Sequence, residues 1–146
     1  MLLGKTTPSV DLETDFDSET PYQHITTLQL QELTTAFEGS IQQVPPIYSA
    51  VKQGGARAYK KARQGKDITL APREVVIHHF SLIDIALPKV TFEVVCGKGT
   101  YIRSLVRDFG QQLGVGACMS ALCRTQIGAF HLQDAYTIDA LSQKPM

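Results

Sequence analysis

Features that mark a membrane protein or a secreted protein are missing from this sequence of 146 residues. No apolar run approaches the ~20 residues of a membrane-spanning helix, and the first residues lack the charged and apolar regions of a signal peptide. Cysteine is scarce, with only Cys96, Cys118 and Cys123. An odd cysteine count without an export signal predicts reduced thiols in a cytoplasmic protein. No neighbouring histidine pair completes a zinc site, so we predict no metal.

Net charge is also absent, because 14 basic residues balance 14 acidic ones, whereas a nucleic-acid-binding domain is usually basic. The charges are nevertheless unevenly placed. Residues 1–51 carry one basic and seven acidic residues, and residues 52–73 carry seven basic residues and one acidic residue. Tyr48 and Tyr59 accompany this basic stretch, as is typical of surfaces that neutralise phosphate and stack on bases. A solvated surface without a ligand is the alternative interpretation.

Two amphipathic helices follow from capping signals and apolar spacing. Thr26 and Gln29 form a capping box before a helix over 27–38. A second helix begins after Thr100, which can cap it, and ends at Gly114. Apolar residues recur on one face of each helix, so both are predicted to pack against a core.

Strand-like segments complete an α+β pattern. Residues 75–85 and 90–96 are rich in β-branched and apolar side chains and are predicted to form an antiparallel pair. We also predict a strand over about 121–131 and a short helix over 137–142. Residues 1–24 show no clean period and are predicted to be largely irregular.

The basic stretch looks like an excursion from this body. Pro45 and Pro46 break regular structure ahead of it, and Gly54 and Gly55 lie within it. Residues 56–64 favour a short helix. The excursion as a whole covers 43–73.

Arg103 is the residue whose placement most suggests chemistry. It follows the glycines of the segment Cys96–Thr100 and lies in the first turn of the second helix, near Lys98. The Walker spacing of a nucleotide-binding loop is absent. An arginine at the positive end of a helix dipole is unfavourable unless an anion is held nearby. It therefore indicates either a bound carboxylate or phosphate, or a pairing with a structural acid.

Three segments together resemble the TruB-type tRNA pseudouridine synthases, which isomerise the T-loop uridine at position 55 of tRNA. They are 43–52 (QVPPIYSAVK), 55–65 (GARAYKKARQG) and 97–105 (GKGTYIRSL), and the likeness extends over roughly 20–142. The resemblance implies that residues 1–146 form part of a pseudouridine synthase catalytic domain. In such a domain a mixed, mostly antiparallel sheet is flanked by helices, and the 43–73 excursion is a thumb-like insertion that clamps the RNA stem-loop.

The resemblance also assigns site residues. Arg103 matches the arginine that pairs with the family's catalytic aspartate. Tyr101 matches a tyrosine that packs on the target base and is a candidate for proton abstraction. Leu122 matches an apolar residue of the uridine pocket. In the family the aspartate attacks a flipped-out nucleoside, and the base is detached, rotated and rejoined through carbon, without a metal or organic cofactor. The other residues expected to bind the substrate are Tyr48, Lys52, Arg57, Tyr59, Lys60 and Lys98.

One element of the family pattern has no counterpart in the sequence. The Gly-rich loop with Leu-Asp-Pro, whose aspartate is the nucleophile, matches nothing here, so Arg103 is expected to lose its carboxylate partner. The chain is expected to be the C-terminal part of a synthase and inactive alone. An unpaired sheet edge then predicts a homodimer or a rearranged edge. The alternative function is a non-catalytic module that binds RNA stem-loops.

Overall fold

The structure is a computed structural model that describes residues 1–47, 52–53, 56–57 and 70–145. Three two-residue strands lie in the first 24 residues, and two long strands and two helices form the centre. The strands are β1 (Leu2–Leu3), β2 (Lys5–Thr6), β3 (Ser18–Glu19), β4 (Gly39–Gln43), β5 (Lys52–Gln53), β6 (Ala56–Arg57), β7 (Arg73–Ala86), β8 (Lys89–Cys96), β9 (Ala117–Cys118), β10 (Gln126–Ile127) and β11 (Phe130–His131). The helices are α1 (Thr27–Ala36), α2 (Ile102–Leu113) and α3 (Ile138–Ser142), with a 3₁₀ turn at Leu132–Asp134.

The main sheet has five strands in the order β4–β7–β8–β1–β9, and every neighbouring pair is antiparallel. The predicted pairing of 75–85 with 90–96 is therefore confirmed. The register of β7 against β8 shifts between Ile77 and His79. An extra residue of this kind changes the side-chain alternation, so the buried positions run from Val75 and Ile77 to Phe80. The long strand thus keeps one face on the core.

The core lies between this sheet and the two longer helices. α1 packs on β7 and α2, and α2 packs on β9. Phe109 of α2 is fully buried, and its ring centroid lies 5.5 Å from that of Phe80 and 5.7 Å from that of Phe37. A close approach also fixes α2, because a Cβ on Gly110 would lie 2.3 Å from the backbone nitrogen of Ala117. The α2 helix therefore packs closely against the start of β9.

Capping chemistry behaves largely as the sequence predicts. The backbone N–H of Gln29 donates to Thr26 Oγ1, and the Thr26 N–H donates to Gln29 Oε1 at 2.8 Å, so the capping box is confirmed. α1 ends at Ala36 rather than near 38, because the chain turns into β4 at Gly39, whose φ is 97°. Gly114 ends α2 with a φ of 77°, as predicted.

The first 24 residues are largely irregular, as predicted, although β1 joins the main sheet and β2 pairs with β3. Other sequence-based predictions need correction. Ala56–Arg57 is a strand paired with β5, so a helix beginning at residue 56 is wrong, and 58–64 lie outside the described residues. A short hairpin of β10 and β11 replaces the strand predicted over 121–131. The final helix is confirmed as α3.

Residues 121–145, which we call the tail, differ from the rest of the molecule in their exposure. Every residue of the tail is exposed, including large apolar side chains such as Phe130 and Ile138. Its hydrogen bonds to other described residues stay within the tail, as in the bond from Leu132 N to Thr125 O. Within the described ranges, no helix has the length and apolar character to cross a membrane.

Candidate active site

The candidate site lies where the loop after β8 enters α2. The Gly97 N–H donates to the Val76 carbonyl at 2.9 Å, and Thr100 Oγ1 donates to the Gly97 carbonyl at 2.8 Å, which ties the loop to β7. Thr100 does not cap the helix, contrary to the prediction. The N-cap residue is Tyr101, which makes no side-chain capping bond. Lys98 is exposed at the tip of this loop.

Gln43 supplies the missing cap from the end of β4. The Tyr101 N–H donates to Gln43 Oε1 at 2.8 Å, and Gln43 Nε2 donates to the Tyr101 carbonyl at 3.1 Å. Gln43 is only 2% exposed. One buried amide therefore bonds to both backbone groups of Tyr101, whose carbonyl also accepts from the Leu105 N–H at 3.1 Å. The sequence did not reveal this role.

Arg103 faces a carboxylate, and that carboxylate belongs to Asp11. The Arg103 Nη1 atom lies 3.7 Å from Asp11 Oδ2 and donates to the Ser9 carbonyl at 3.2 Å. Both side chains are largely shielded, at 20% and 16% exposure. Arg103 therefore contacts an acid of its own chain, which is one of the two alternatives for an arginine at a helix N-terminus. The nucleophilic aspartate of the family pattern still has no counterpart in the sequence.

The loop around Asp11 is shaped by its own polar side chains. Ser9 Oγ donates to Asp11 Oδ1 at 2.6 Å, and the Glu13 N–H donates to the same oxygen at 3.0 Å. Thr7 Oγ1 donates to the Asp11 carbonyl at 2.6 Å. These bonds fix the carboxylate against rotation. The positive charge of Arg103 at the N-terminus of α2 is thus balanced by the Asp11 carboxylate, which the loop holds in place.

Val10 lies between Ser9 and Asp11, which both contact Arg103, and its backbone conformation is unusual. Its φ is 65°, in the left-handed region that a β-branched side chain rarely adopts. The Val10 side chain is buried, and its carbonyl accepts from the Met119 N–H at 2.7 Å. The backbone reversal at Val10 lets the Ser9 carbonyl and the Asp11 carboxylate meet the same guanidinium.

A proline strap connects the site helix to the basic insertion. The Val44 carbonyl accepts from Ser104 Oγ at 2.7 Å and from Arg107 Nη2 at 2.9 Å. Pro45 and Pro46, which follow it, are fully buried. The first residues of the 43–73 insertion are therefore fastened to the first two turns of α2.

The remaining predicted site residues are not among those that the structure brings together at the start of α2. Lys52 and Arg57 occupy opposite positions of the β5–β6 pair, whereas Tyr48, Tyr59 and Lys60 lie outside the described residues. Leu122 is in an irregular stretch of the tail and is 58% exposed. The structure thus brings Tyr101, Arg103 and Lys98 to one helix start, and adds Asp11 and Gln43, which sequence reasoning missed. The alternating Thr7, Ser9 and Asp11 were the available signal for the acid.

Comparison with known families identifies this arrangement. Residues 1–102 match the family model described as TruB family pseudouridylate synthase (N terminal domain). The chain belongs to the TruB family. Residues 103–146 match the model described as tRNA pseudouridylate synthase B C-terminal domain. The boundary between the two TruB matches falls between Ile102 and Arg103, so the site described above straddles it.

TruB relatives resemble most of this chain. It is 46% identical to tRNA pseudouridine synthase B of Flavobacterium johnsoniae over 136 residues, which cover 93% of this chain and 59% of the relative. The Phocaeicola vulgatus protein of the same name is 42% identical over 141 residues, covering 97% of this chain and 60% of the relative. The chain therefore spans about three fifths of the length of these curated relatives.

A solved structure supports the fold as well. A chain in the crystal structure of a Cbf5-Nop10-Gar1 complex matches with a TM-score of 0.51 and 32% sequence identity, covering 66% of this chain and 24% of that one. The predicted α+β architecture of a TruB-type protein is thereby confirmed.

Two further observations concern metal binding and thiol reactivity in this TruB-family chain. Among the described residues, no group of three or more His, Cys, Asp or Glu side chains could hold a metal ion. Burial raises the pKa of the Cys118 thiol, and this residue adjoins Met119, which bonds to the Val10 carbonyl. Cys118 is thus held as a neutral thiol, which is a poor nucleophile.

Proposed function

We propose that this chain forms the arginine-bearing side of a tRNA pseudouridine synthase active site, together with part of its RNA-binding surface. The proposed substrate is the T-stem-loop of tRNA, and the proposed reaction converts a uridine in that loop to pseudouridine. The observation that carries the proposal is the shielded pair of Arg103 and Asp11 at the start of α2. It supports a site in which a positioned guanidinium meets carboxylates.

In the proposed site each side chain has a distinct role. Arg103, oriented by the Ser9 carbonyl and Asp11, pairs with the nucleophilic aspartate of the intact synthase and holds it ionised, because a neighbouring cation favours the charged form of a carboxyl group. Tyr101 packs on the flipped-out base and is the candidate for proton abstraction. Leu122 lines the apolar side of the uridine pocket. The proposed reaction uses no metal or organic cofactor.

The basic insertion is proposed to hold the RNA. Its seven cations against a single acid form the densest positive charge of the sequence, and phosphate neutralisation is the main sequence-independent term in RNA affinity. Lys98 lies at the tip of the loop that leads to Tyr101, where a phosphate of the bound loop would meet it. Tyr48, Lys52, Arg57, Tyr59 and Lys60 are the proposed contacts within the insertion.

The isolated chain is proposed to bind RNA without turnover, because it offers no match to the segment that carries the nucleophile. A direct test replaces the matched 136-residue region of the Flavobacterium johnsoniae relative with this chain. Tritium release from a T-stem-loop RNA labelled at C5 of uridine then reports the isomerisation. We expect turnover by the chimera and none by the isolated chain.

Variants of the chimera make the test specific to the site. Arg103→Ala should lower the rate about 100-fold, as removal of a key electrostatic group typically does. Lys89→Ala is the matched control, since Lys89 is exposed at the far end of β8 and its loss should leave the rate unchanged. A folded chimera that binds RNA but never releases tritium would favour the non-catalytic binding module.

Two finer points accompany the proposal. A homodimer is proposed to form through an exposed sheet edge, for which β4, at one end of the five-stranded sheet, is the longer candidate. Sedimentation velocity at increasing concentration tests it, and a strictly monomeric species would contradict it. A role in tRNA modification also implies a cytoplasmic location.

A further inference from the structure

Gln43 occupies a position where a buried polar side chain needs an explanation. It is the last residue of β4, it is 2% exposed, and it stands at the entrance to the basic insertion. A buried amide that lacked partners would destabilise the fold, and a glutamine is an uncommon choice for a core position. Its two hydrogen bonds both go to one residue, Tyr101, which is 58 positions away in the chain.

The geometry of this contact fixes more than a helix end. The Gln43 amide is planar and accepts from the Tyr101 N–H while it donates to the Tyr101 carbonyl. The peptide planes on both sides of Tyr101 are therefore held, and with them the direction of its Cα–Cβ bond. Arg103 follows two residues later in the first turn of α2. A single amide thus sets the orientation of the backbone from which both side chains project.

Only a group with a donor and an acceptor side by side can make this contact. A methionine of similar length offers no donor and only a weakly accepting sulfur, and an ionised glutamate can accept from the Tyr101 N–H but cannot donate to its carbonyl. A protonated glutamate restores both functions, since its carboxyl group carries one O–H donor and one carbonyl oxygen. The chemistry of the contact can therefore be switched by pH in one variant.

We propose that Gln43 is a positioning residue, which caps α2 from the base of the basic insertion and thereby holds Tyr101 and Arg103 in register with that insertion. Val44 extends the same connection, because its carbonyl accepts from Ser104 and Arg107 one turn further along α2. The consequence for catalysis rests on the function proposed above. The control of the Tyr101 backbone does not, and it can be measured without any RNA.

The first experiment measures hydrogen exchange of the Tyr101 amide by NMR in the full chain. Gln43→Met should lower the protection factor of this amide about tenfold, the worth of one lost buried hydrogen bond. Ser104→Ala is the matched control, since it removes a neighbouring bond between α2 and the strap but leaves the Tyr101 N–H bonded to Gln43. The control should keep the Tyr101 protection factor of the wild-type chain.

In Gln43→Glu, acid should restore the protection of the Tyr101 amide. This restoration is not expected if Gln43 only fills space in the core. A carboxyl group at this buried position has a raised pKa, so it is protonated in mildly acidic solution. Protection of Tyr101 in this variant should match the wild-type value at low pH and fall as the carboxyl group ionises. Equal protection in Gln43→Met and wild type, or a Gln43→Glu variant without this pH dependence, would overturn the proposal. Because the acidic form of Gln43→Glu keeps both bonds, the test survives if Gln43→Met does not fold.

A second readout links the contact to catalysis in the chimera. Gln43→Met should lower kcat about ten- to hundredfold, the cost of misplacing a reacting group by a fraction of an ångström to an ångström, with little change in KM. An unchanged kcat alongside lost Tyr101 protection would overturn the catalytic part of the proposal. An inactive parent chimera would instead refute the proposed function, and the exchange experiment would still decide the role of Gln43.

Discussion

Residues 1–120, which we call the body, and the tail at 121–145 contain comparable shares of apolar residues, but only the body buries them. In the body, Leu3, Leu30, Leu105 and Phe109 are fully buried between the sheet and the helices. In the tail, Phe130 is 79% exposed. The body has long-range partners for its apolar faces, whereas the tail has a short hairpin, a 3₁₀ turn and a five-residue helix. Apolar residues stabilise the fold only where two elements pack together and bury them.

Truncation of one phenylalanine in each region gives the largest expected contrast. Phe109→Ala should lower the free energy of unfolding by about 3–5 kcal/mol, because it leaves a cavity beside the Phe37 and Phe80 rings. Phe130→Ala should change it by no more than about 0.5 kcal/mol, since the ring is already in solvent. Urea denaturation followed by circular dichroism measures both. A comparable loss in Phe130→Ala would mean that the tail packs against the body in solution.

Helix caps provide a second, smaller contrast. Thr26→Ala removes the capping box of α1 and should cost about 1 kcal/mol of global stability. Thr137→Ala removes the bond from the Ala140 N–H at the start of α3, but this helix is short and exposed. The global unfolding midpoint should therefore not move. A clear shift of the midpoint in Thr137→Ala would show that unfolding of the tail is coupled to that of the body.

The smallest effect is a dependence on alkaline pH. Burial raises the pKa of the Cys118 thiol above its ordinary value of 9.0, so the folded chain retains a proton that the unfolded chain loses. The stability that this retained proton contributes is fully present below the pKa of the unfolded thiol, and it is lost as the pH rises above that pKa. Stability should thus decline more steeply with pH in wild type than in Cys118→Ala. Cys123→Ala, in the exposed tail, should keep the wild-type slope, and equal slopes in all three proteins would contradict the prediction.

Local signals in the sequence predicted local structure well. The capping box at Thr26, the glycine at 114 and the two β-rich segments around Pro88 each act through neighbours a few residues away, and each was confirmed. The tail illustrates the limit of the same approach. Its apolar residues favour a strand over 121–131, but a strand needs a partner, and only the β10–β11 hairpin finds one among the described residues.

The candidate site was predicted only in part for a related physical reason. Tyr101 and Arg103 are close in sequence and share one helix start, so a motif could identify them. Asp11 and Gln43 reach the same place through contacts across 92 and 58 positions. Composition and periodicity carry no information about such pairings. The acidic N-terminal stretch was therefore predicted only to be largely irregular, although one of its carboxylates is shielded against Arg103.

The left-handed conformation of Val10 has a consequence for the order in which the molecule is assembled. An isolated loop with this sequence would avoid that conformation, because a β-branched residue pays about 1–3 kcal/mol to adopt it. The bond from Met119 and the burial of the Val10 side chain, both supplied by distant parts of the chain, offset that cost. We therefore expect Arg103 to meet the Ser9 carbonyl and the Asp11 carboxylate only after β9 and α2 are in place. Charge neutralisation at this helix start is an outcome of folding rather than a guide to it.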